Sequence, residues 1–233
     1  MRKTILLLLL ALPILVLSQN KKKKGFYKWD VGINGGINFN NPLINSDPGN
    51  SIDSSLNDIN FRGNLYGLTL IYHVNRFVAI KGEFDIENRG WKNDFNVSND
   101  INVPDFREVP QVLDYFDIPL FMHLGFGKKF KVDLNFGPYF GFKIKDEVYS
   151  INENGEQIEG DDVRGMIELQ EFKNFDLGLV YGIGFDYYFH ERISIGFDAL
   201  YERGMRVINE KGYRNSSIDF DFGLNFQLGK KKK

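Results

Sequence analysis

The chain has 233 residues and a formal net charge of −2 at pH 7; 42% of its residues are hydrophobic and 15% are aromatic. It contains 24 glycines, 7 prolines and no cysteine, which excludes disulfides and thiolate metal sites and suits a single all-β domain. The small net charge gives no reason to expect a nucleic-acid partner.

Segment 1–18 has the features of a secretory signal peptide. Arg2 and Lys3 precede an apolar run at 5–17, and the small residue Ser18 offers a cleavage site. The run is too short to span a membrane comfortably as a helix, and no later segment supplies the roughly twenty continuous apolar residues that a transmembrane helix needs. If the mature protein is membrane-bound, it must therefore be a β-barrel.

Apolar residues at every second position predict eight strands in the rest of the chain. In the first three strands these residues are Tyr27, Trp29, Val31, Ile33, Ile37 and Phe39, then Tyr66, Leu68, Leu70, Tyr72 and Val74, then Val78, Ile80, Phe84 and Ile86. In the next two they are Phe116, Ile118, Leu120, Met122, Leu124 and Phe126, then Phe130, Val132, Leu134, Phe136, Phe140, Phe142 and Ile144. In the last three they are Phe175, Leu177, Leu179, Tyr181, Ile183, Phe185, Tyr187 and Phe189, then Ile193, Ile195, Phe197, Ala199 and Tyr201, then Ile218, Phe220, Phe222, Leu224, Phe226 and Leu228.

The length of this alternation and the spacing of the connections favour a membrane barrel. Strands of soluble sheets are usually about five or six residues long, whereas a strand that crosses a bilayer at a tilt needs roughly 9–11 residues. Long polar loops are predicted at 41–60, 91–110, 146–173 and 203–215, and tight turns near residues 75–76, 127–128 and 190–192. Extended outer loops that alternate with tight periplasmic turns are typical of outer-membrane barrels.

The sequence therefore predicts an eight-stranded antiparallel up-and-down transmembrane β-barrel as an outer-membrane domain at 27–229. A periplasmic N-terminal tail at 19–26 precedes it, and a basic C-terminal tail at 230–233 follows it. We interpret the lysines of both tails as solvated ends on the same side of the membrane, with a lipid-headgroup or partner site as the alternative.

The residues between the apolar positions indicate which face meets lipid. Besides many glycines they include Lys81, Glu83, Asp85, Lys131, Asp133, Tyr139, Lys143, Asp176, Asp186, Asp198, Asp219 and Asp221. In the alternative, a lipocalin-like soluble barrel, large apolar side chains would line a cavity and the outside would be polar. An eight-stranded barrel is just wide enough for side chains to fill, so we expect the charges and glycines inside, the Phe and Leu residues toward lipid, and no open channel.

No residues with the pattern of a catalytic, cofactor-binding or metal site are recognisable. The interior carboxylates and lysines are interpreted as a structural network, because buried charges need partners. His73, His123 and His190 lie on separate segments without metal-ligand spacing and are interpreted as solvated or network histidines. The glycines of 182–184 lack the third glycine of a dinucleotide fingerprint and lie in the middle of a strand.

Two further groups of polar residues lie toward the predicted outer end. The loop at 146–173 carries Asp146, Glu147, Glu153, Glu156, Glu159, Asp161 and Asp162. We interpret it as a solvated loop, with a divalent ion or an ion-bridged lipopolysaccharide as the alternative, because calcium-loop spacing is absent. The predicted rim carries Glu87, Asp114, Glu202 and Arg203, which include no recognisable pair of nucleophile and base.

Three segments resemble a known family. They are Tyr115-Phe-Asp-Ile-Pro-Leu120, Phe136-Gly-Pro-Tyr-Phe-Gly141 and Phe175-Asp-Leu-Gly-Leu-Val-Tyr-Gly-Ile-Gly-Phe-Asp186. In this order they look like the strands of the PorT-type outer-membrane β-barrel family, and the resemblance covers essentially the whole mature chain. It implies an eight-stranded barrel in a Gram-negative outer membrane and supplies no catalytic residues. The family is named after a member linked to type IX secretion and gliding.

The C-terminal strand carries a second resemblance. Asp221-Phe-Gly-Leu-Asn-Phe-Gln-Leu228 is similar to the terminal recognition strand of barrel proteins, whereas the four lysines at 230–233 depart from the usual aromatic last residue. Expected partners are outer-membrane lipid, the barrel-assembly machinery and a secretion-system or envelope protein. The leading hypothesis is a non-enzymatic outer-membrane barrel that acts through its outer loops or a partner, in secretion or surface interaction. The alternatives are an enzyme acting on lipid or peptide at the rim, and a small pore.

Overall fold

The computed structural model describes residues 25–44, 58–94, 106–148, 150–152, 157–158, 171–210 and 212–231. Its eight long strands, numbered in chain order, are β1 Trp29–Asn40, β2 Asp58–His73, β3 Val78–Asp94, β4 Phe106–Gly127, β5 Phe130–Val148, β6 Phe175–His190, β7 Ile193–Gly204 and β8 Ser216–Leu228. Within these ranges no helix is long and apolar enough to cross a membrane. The predicted signal peptide at 1–18 and most of the tail at 19–26 lie outside the described residues.

The eight long strands close into a ring. Each pairs antiparallel with its neighbours in the chain, and β1 also pairs with β8. Gly35 of β1, for example, lies opposite Tyr66 of β2 on one side and Phe222 of β8 on the other. The predicted eight-stranded antiparallel up-and-down barrel is therefore confirmed, and a closed ring leaves no long strand with a free edge.

Successive side chains of each strand point alternately into and out of the barrel. In β6, Asp176 and Val180 are buried, whereas Leu179 and Ile183 are exposed. Exposed apolar side chains on the strands include Ile33, Tyr66, Leu68, Ile80, Phe84, Leu120, Met122, Leu134, Phe136, Tyr181, Ile195 and Phe222. The predicted assignment of faces is confirmed, with the Phe and Leu set outside and the charges inside.

The barrel is taller on one side than on the other. β3, β4 and β5 contain 17, 22 and 19 residues, whereas β1 and β7 each contain 12. All three connections made by tight turns lie at one end, so the extra length projects from the opposite, long-loop end. The long strands therefore form a raised wall at the end that the sequence predicts to face outward.

This wall corrects the predicted loop boundaries. β3 continues to Asp94 and β4 begins at Phe106, inside the predicted loop 91–110, and β5 continues to Val148, inside the predicted loop 146–173. Backbone pairing holds these segments in register, with Lys92 opposite Pro110. The backbone hydrogen bonds between strands do not require alternating apolar side chains. The strands therefore continue into the polar segments that the sequence predicted as loops.

Segments of the long connections fold into the outer end of the barrel. Phe172 and Ile208 pack with the inward-facing Leu113 and Tyr115 of β4, and the backbone N–H of Lys173 donates to the carbonyl of Ile208 at 2.8 Å. The short strands Leu43–Ile44 and Tyr213–Arg214 pair with each other across two predicted loops. Apolar loop residues thus cover the end of the barrel interior.

Candidate functional site

Charged side chains fill the barrel interior because many of the residues at inward-facing strand positions are polar. The inward-facing acidic residues of the strands, all buried or half-buried, are Asp30, Glu83, Asp85, Glu87, Asp117, Asp133, Asp176, Asp186, Asp198, Glu202, Asp219 and Asp221. Within the described strands they clearly outnumber the inward cations Lys81, Arg89, Lys131 and Lys143. The interior is therefore acidic, and its organisation depends on which carboxylates these cations reach.

Arg89 of β3 forms the centre of the outer cluster. Its guanidinium is buried and contacts the carboxylates of Glu87 (2.7 Å), Asp117 and Glu202 through Nη2. Asp176 lies 3.7 Å from Nη1. Each carboxylate comes from a strand position that faces inward, so four strands converge on one cation. Charge-assisted hydrogen bonds of this kind are the stronger ones in proteins.

Two tyrosine rings complete the Arg89 cluster. Arg89 Cζ lies 4.9 Å from the ring centroid of Tyr139 and 5.4 Å from that of Tyr115, within the range of a cation–π interaction. The Tyr139 hydroxyl donates to Asp176 Oδ2 at 2.9 Å. A Cβ atom at Gly178 would lie 2.3 Å from the Tyr139 ring, so glycine is needed there for the ring to lie across the barrel.

Lys81 forms the centre of a second cluster, closer to the tight turns. Its ammonium lies 2.7 Å from Asp198 Oδ2 and 2.8 Å from Glu83 Oε1. The amide of Asn34 donates to Asp85 at 2.7 Å and to Asp221 at 3.3 Å. Together the two clusters fill the barrel at two levels.

The three histidines lie apart from one another, as the sequence predicts. His73 Nε2 lies 2.9 Å from Asp30 Oδ2, and His123 Nδ1 lies 2.8 Å from Asn135 Oδ1, both inside the barrel. His190 is exposed beside a tight turn, where its Nδ1 accepts from the backbone N–H of Arg192. His73 and His123 are therefore network histidines, and His190 is solvated.

The structure nevertheless assembles groups of metal-ligand type that sequence spacing could not reveal. Three such groups have ligand atoms within 4.8 Å of one another: His123 with Asp133 and Asp186, Glu83 with Asp198 and Asp221, and Glu87 with Glu202 and Asp219. Their members come from different strands and meet only because the barrel closes. Local motifs such as His-x-x-x-His are confined to one element and miss this arrangement.

The predicted rim residues do not form one site. Glu87 and Glu202 are buried in the Arg89 cluster, whereas Arg203 is exposed on the outside of the barrel. Asp114 is half-buried and accepts from the Asn88 amide at 2.6 Å. The four lie toward the long-loop end, but neighbouring strand residues point to opposite faces, so Glu202 points inward and Arg203 outward.

Sequence reasoning missed Arg89 and Asp117. The sequence pattern that places Arg89 inside was present, since Glu83, Asp85 and Glu87 occupy every second position on one face of β3 and Arg89 is the next residue on that face. The prediction ended the strand too early, and Arg89 then fell beside a predicted loop. In the same way Asp117 lies within a quoted strand motif but was not assigned to the interior.

Only part of the acidic loop is described. Asp146 accepts from Lys143 at 2.5 Å, and Glu147 pairs with Lys145, so both residues form exposed ion pairs at the end of β5. Glu153, Glu156, Glu159, Asp161 and Asp162 lie outside the described residues. The glycines of 182–184 lie within β6, which agrees with their predicted place in the middle of a strand.

The chain is similar to a known protein family and to several solved structures. Residues 17–210 match the family model described as outer membrane protein beta-barrel domain. Similar solved structures include OprG from Pseudomonas aeruginosa (14% identity, 88% of this chain and 99% of that one, TM-score 0.45) and Neisserial surface protein A (10%, 86% and 97%, 0.44). Outer Membrane Protein W of E. coli is another (11%, 88% and 99%, 0.42). No curated protein sequence matches the chain significantly.

The family match covers well over half of the chain and includes seven of the eight strands in full or in large part. The outer membrane is accordingly the location of this barrel, in agreement with the apolar outer face. The chain belongs to the family of outer membrane proteins with a beta-barrel domain.

Proposed function

We propose that this protein is a non-conducting outer-membrane barrel that acts without catalysis, through its outer loops or a protein partner, in secretion or surface interaction. The observation that carries the proposal is the raised wall formed by β3, β4 and β5. A strand needs roughly 9–11 residues to cross the bilayer, so about half of the 22 residues of β4 are left to project from it. Such a wall offers a rigid surface for a partner.

The filled interior supports the same proposal. The guanidinium of Arg89, the rings of Tyr115 and Tyr139 and several carboxylates occupy one level of a barrel that is narrow to begin with. Phe172 and Ile208 pack above them. A function that needed solute to pass through the lumen would have to displace this network, whereas a function of the outer end leaves it intact.

The finer PorT-type assignment is part of the proposal. Its three segments lie in the adjacent strands β4, β5 and β6, and their inward residues Tyr115, Asp117, Tyr139 and Asp176 all contact or surround Arg89. The inward side chains of these segments thus surround and stabilise a buried cation. This favours a non-enzymatic barrel over an enzyme, because these four side chains are gathered around Arg89.

The proposal is tested by comparing secreted and surface-exposed proteins of cells with and without the gene. We expect a changed profile that the wild-type gene restores and that a variant with 149–170 replaced by a short turn does not. The replacement spares β5, which ends at Val148, and the buried Phe172. Arg76→Ser, in a tight turn at the other end, is the matched control and should restore the profile.

Both variants must first run as folded barrels on unheated gels. An unchanged profile in cells without the gene would overturn the proposal. Full restoration by the shortened variant would show that this loop is not the acting surface, and loss of restoration by Glu202→Gln in a folded barrel would favour the enzyme alternative.

A further inference from the structure

We propose that His123, Asp133 and Asp186 form a binding site for one divalent transition-metal ion inside the barrel. These residues lie at inward positions of β4, β5 and β6, three strands that are neighbours in the sheet. All three are buried, and their ligand atoms lie within 4.8 Å of one another. The proposal departs from the sequence-based expectation that the chain has no metal ligands.

Hydrogen bonds fix the tautomer of His123. The side-chain NH₂ of Asn135 donates to Asp198 Oδ1 at 2.8 Å, and the other oxygen of that carboxylate pairs with Lys81. The amide oxygen of Asn135 therefore faces His123 Nδ1 at 2.8 Å, and an amide oxygen can only accept. His123 must donate from Nδ1, so in the neutral imidazole the lone pair lies on Nε2, which faces Asp133.

The buried carboxylate of Asp133 has no hydrogen-bond donor among the described residues. Its residue is 1% exposed, and neither carboxylate oxygen accepts a hydrogen bond. The two nearby ammonium groups are held elsewhere, that of Lys81 by Asp198 and Glu83, and that of Lys131 by the Tyr188 hydroxyl at 3.0 Å. An unsatisfied buried carboxylate is costly, so a cation at this point would stabilise the fold.

The distance between His123 and Asp133 suits a shared metal ion better than a hydrogen bond. Nε2 and Oδ1 lie 3.4 Å apart, beyond the usual N–H···O range of about 2.7–3.2 Å. Two ligand atoms that each lie about 2.1 Å from a tetrahedral ion are separated by roughly 3.4 Å. A lone pair and a carboxylate oxygen at this separation repel each other unless a proton or a cation lies between them.

Glycines leave the space that an ion needs. A Cβ atom at Gly125 would lie 2.6 Å from Asp133 Oδ1 and 3.7 Å from His123 Nε2, and one at Gly196 would lie 2.9 Å from Asp186 Oδ1. His123, Asp133 and Asp186 line a cavity of about 20 Å³. Because a cavity of roughly 10–15 Å³ already holds one water, this one accommodates an ion.

The donor set indicates the class of ion. One imidazole nitrogen and two carboxylates suit Zn²⁺ and its first-row neighbours, whereas Ca²⁺ and Mg²⁺ prefer oxygen alone. Metal-bound histidines almost always donate their other ring N–H to an acceptor that is itself held in place. Asn135, held by Asp198, has that position relative to His123. The structure thus supplies both the ligands and the residue that orients one of them.

Zn²⁺ is the probe for the test, titrated calorimetrically into the folded, detergent-solubilised protein after EDTA treatment. We expect one ion per chain and a higher unfolding temperature with Zn²⁺ than with Mg²⁺. His123→Asn and Asp133→Asn should each lower the affinity by about 100-fold or more, and Asn135→Ala by roughly 10–100-fold. Gly125→Ala should also block binding, since it removes space and no ligand.

His73→Gln is the matched control, because His73 is a buried histidine that already has a carboxylate partner at 2.9 Å. It should bind Zn²⁺ as the wild type does. A stoichiometry of zero would overturn the proposal and mean that a proton joins His123 to Asp133. An affinity of Asp133→Asn for Zn²⁺ equal to that of the wild type would overturn the proposal as well, since the ion would then bind another acidic group. If Asp133→Asn does not fold, the affinity of Gly125→Ala for Zn²⁺ provides the test instead.

Discussion

The ring of Tyr139 lies against the guanidinium of Arg89, with Arg89 Cζ 4.9 Å from the ring centroid. The same tyrosine donates its hydroxyl proton to Asp176 Oδ2, which lies 3.7 Å from Arg89 Nη1. One aromatic side chain therefore screens the cation and orients a counter-ion. Because Tyr139 and Asp176 belong to different strands, this arrangement joins β3, β5 and β6 across the barrel interior.

Replacing Arg89 should strongly destabilise the barrel. Arg89→Leu removes the cation that Glu87, Asp117 and Glu202 share, and it leaves their buried charges without this counter-ion. Breaking a buried ion pair from one side typically costs about 3–5 kcal/mol. The free energy of unfolding should fall by that amount in urea titrations of the protein in lipid vesicles, followed by tryptophan fluorescence.

Arg76→Leu is the control for Arg89→Leu, because Arg76 is exposed in the tight turn between β2 and β3, away from the lipid-facing strands. An exposed substitution away from special features usually changes stability by less than about 0.5 kcal/mol. Equal effects of the two substitutions would mean that Arg89 contributes nothing through its buried carboxylates.

Charges on the lipid-facing surface should be poorly tolerated. Leu179 and Phe222 are exposed apolar residues on β6 and β8, and arginine near the bilayer midplane of a barrel costs about 2–4 kcal/mol. Leu179→Arg and Phe222→Arg should therefore lower the free energy of unfolding by about that amount. Asp221→Asn, a neighbouring inward change, should cost less, since the amide preserves the size of the side chain.

The measurement is the same urea titration in vesicles for all three variants. Stability that survives Leu179→Arg and Phe222→Arg but not Asp221→Asn would place the apolar set inside the barrel, as in the lipocalin-like alternative.

The orientation of the barrel can be read with single cysteines, because the chain has none of its own. Met205 is exposed at the long-loop end, and Asn75 lies in a tight turn at the other end. Met205→Cys should react with a membrane-impermeant maleimide on intact cells, whereas Asn75→Cys should react only after the outer membrane is permeabilised. The opposite result would mean that the tight turns face outward.

Much of the fold followed from alternation alone, since side chains of a strand alternate between two faces whatever the strand pairs with. The apolar sets of β6 and β8 predicted strands, faces and closure correctly. The ends of β3, β4 and β5 were wrong because the pairing that extends them, such as Trp91 with Gln111, joins residues far apart in the chain.

The interior clusters were harder to predict, for a related reason. Which carboxylate meets Arg89 or His123 depends on the register of four or more strands and on how far each side chain reaches. A shift of one residue in any strand would move its whole polar set to the lipid face. The sequence thus predicted an interior network of charges, but the partners of each charge required the paired strands.

The filled interior should prevent ions from passing through the barrel. The interior of an eight-stranded barrel is only wide enough for side chains, and here Arg89 with Tyr139, and Lys81 with Asp198, occupy it at two levels. Purified folded protein in planar bilayers should therefore show no stable conductance. A porin added to the same bilayers checks that the assay detects open channels.

Because two clusters fill the interior, we expect the conductance to stay absent when only one of them is removed. Arg89→Ala together with Tyr139→Ala removes two of the three largest side chains of the outer cluster but leaves the Lys81 cluster in place, with its ammonium between Asp198 and Glu83. The double variant should therefore remain closed if it folds. Large, reproducible single-channel steps from the wild-type barrel would contradict the proposed non-conducting role and favour the pore. Steps from the double variant alone would mean that the Arg89 cluster by itself closes the lumen.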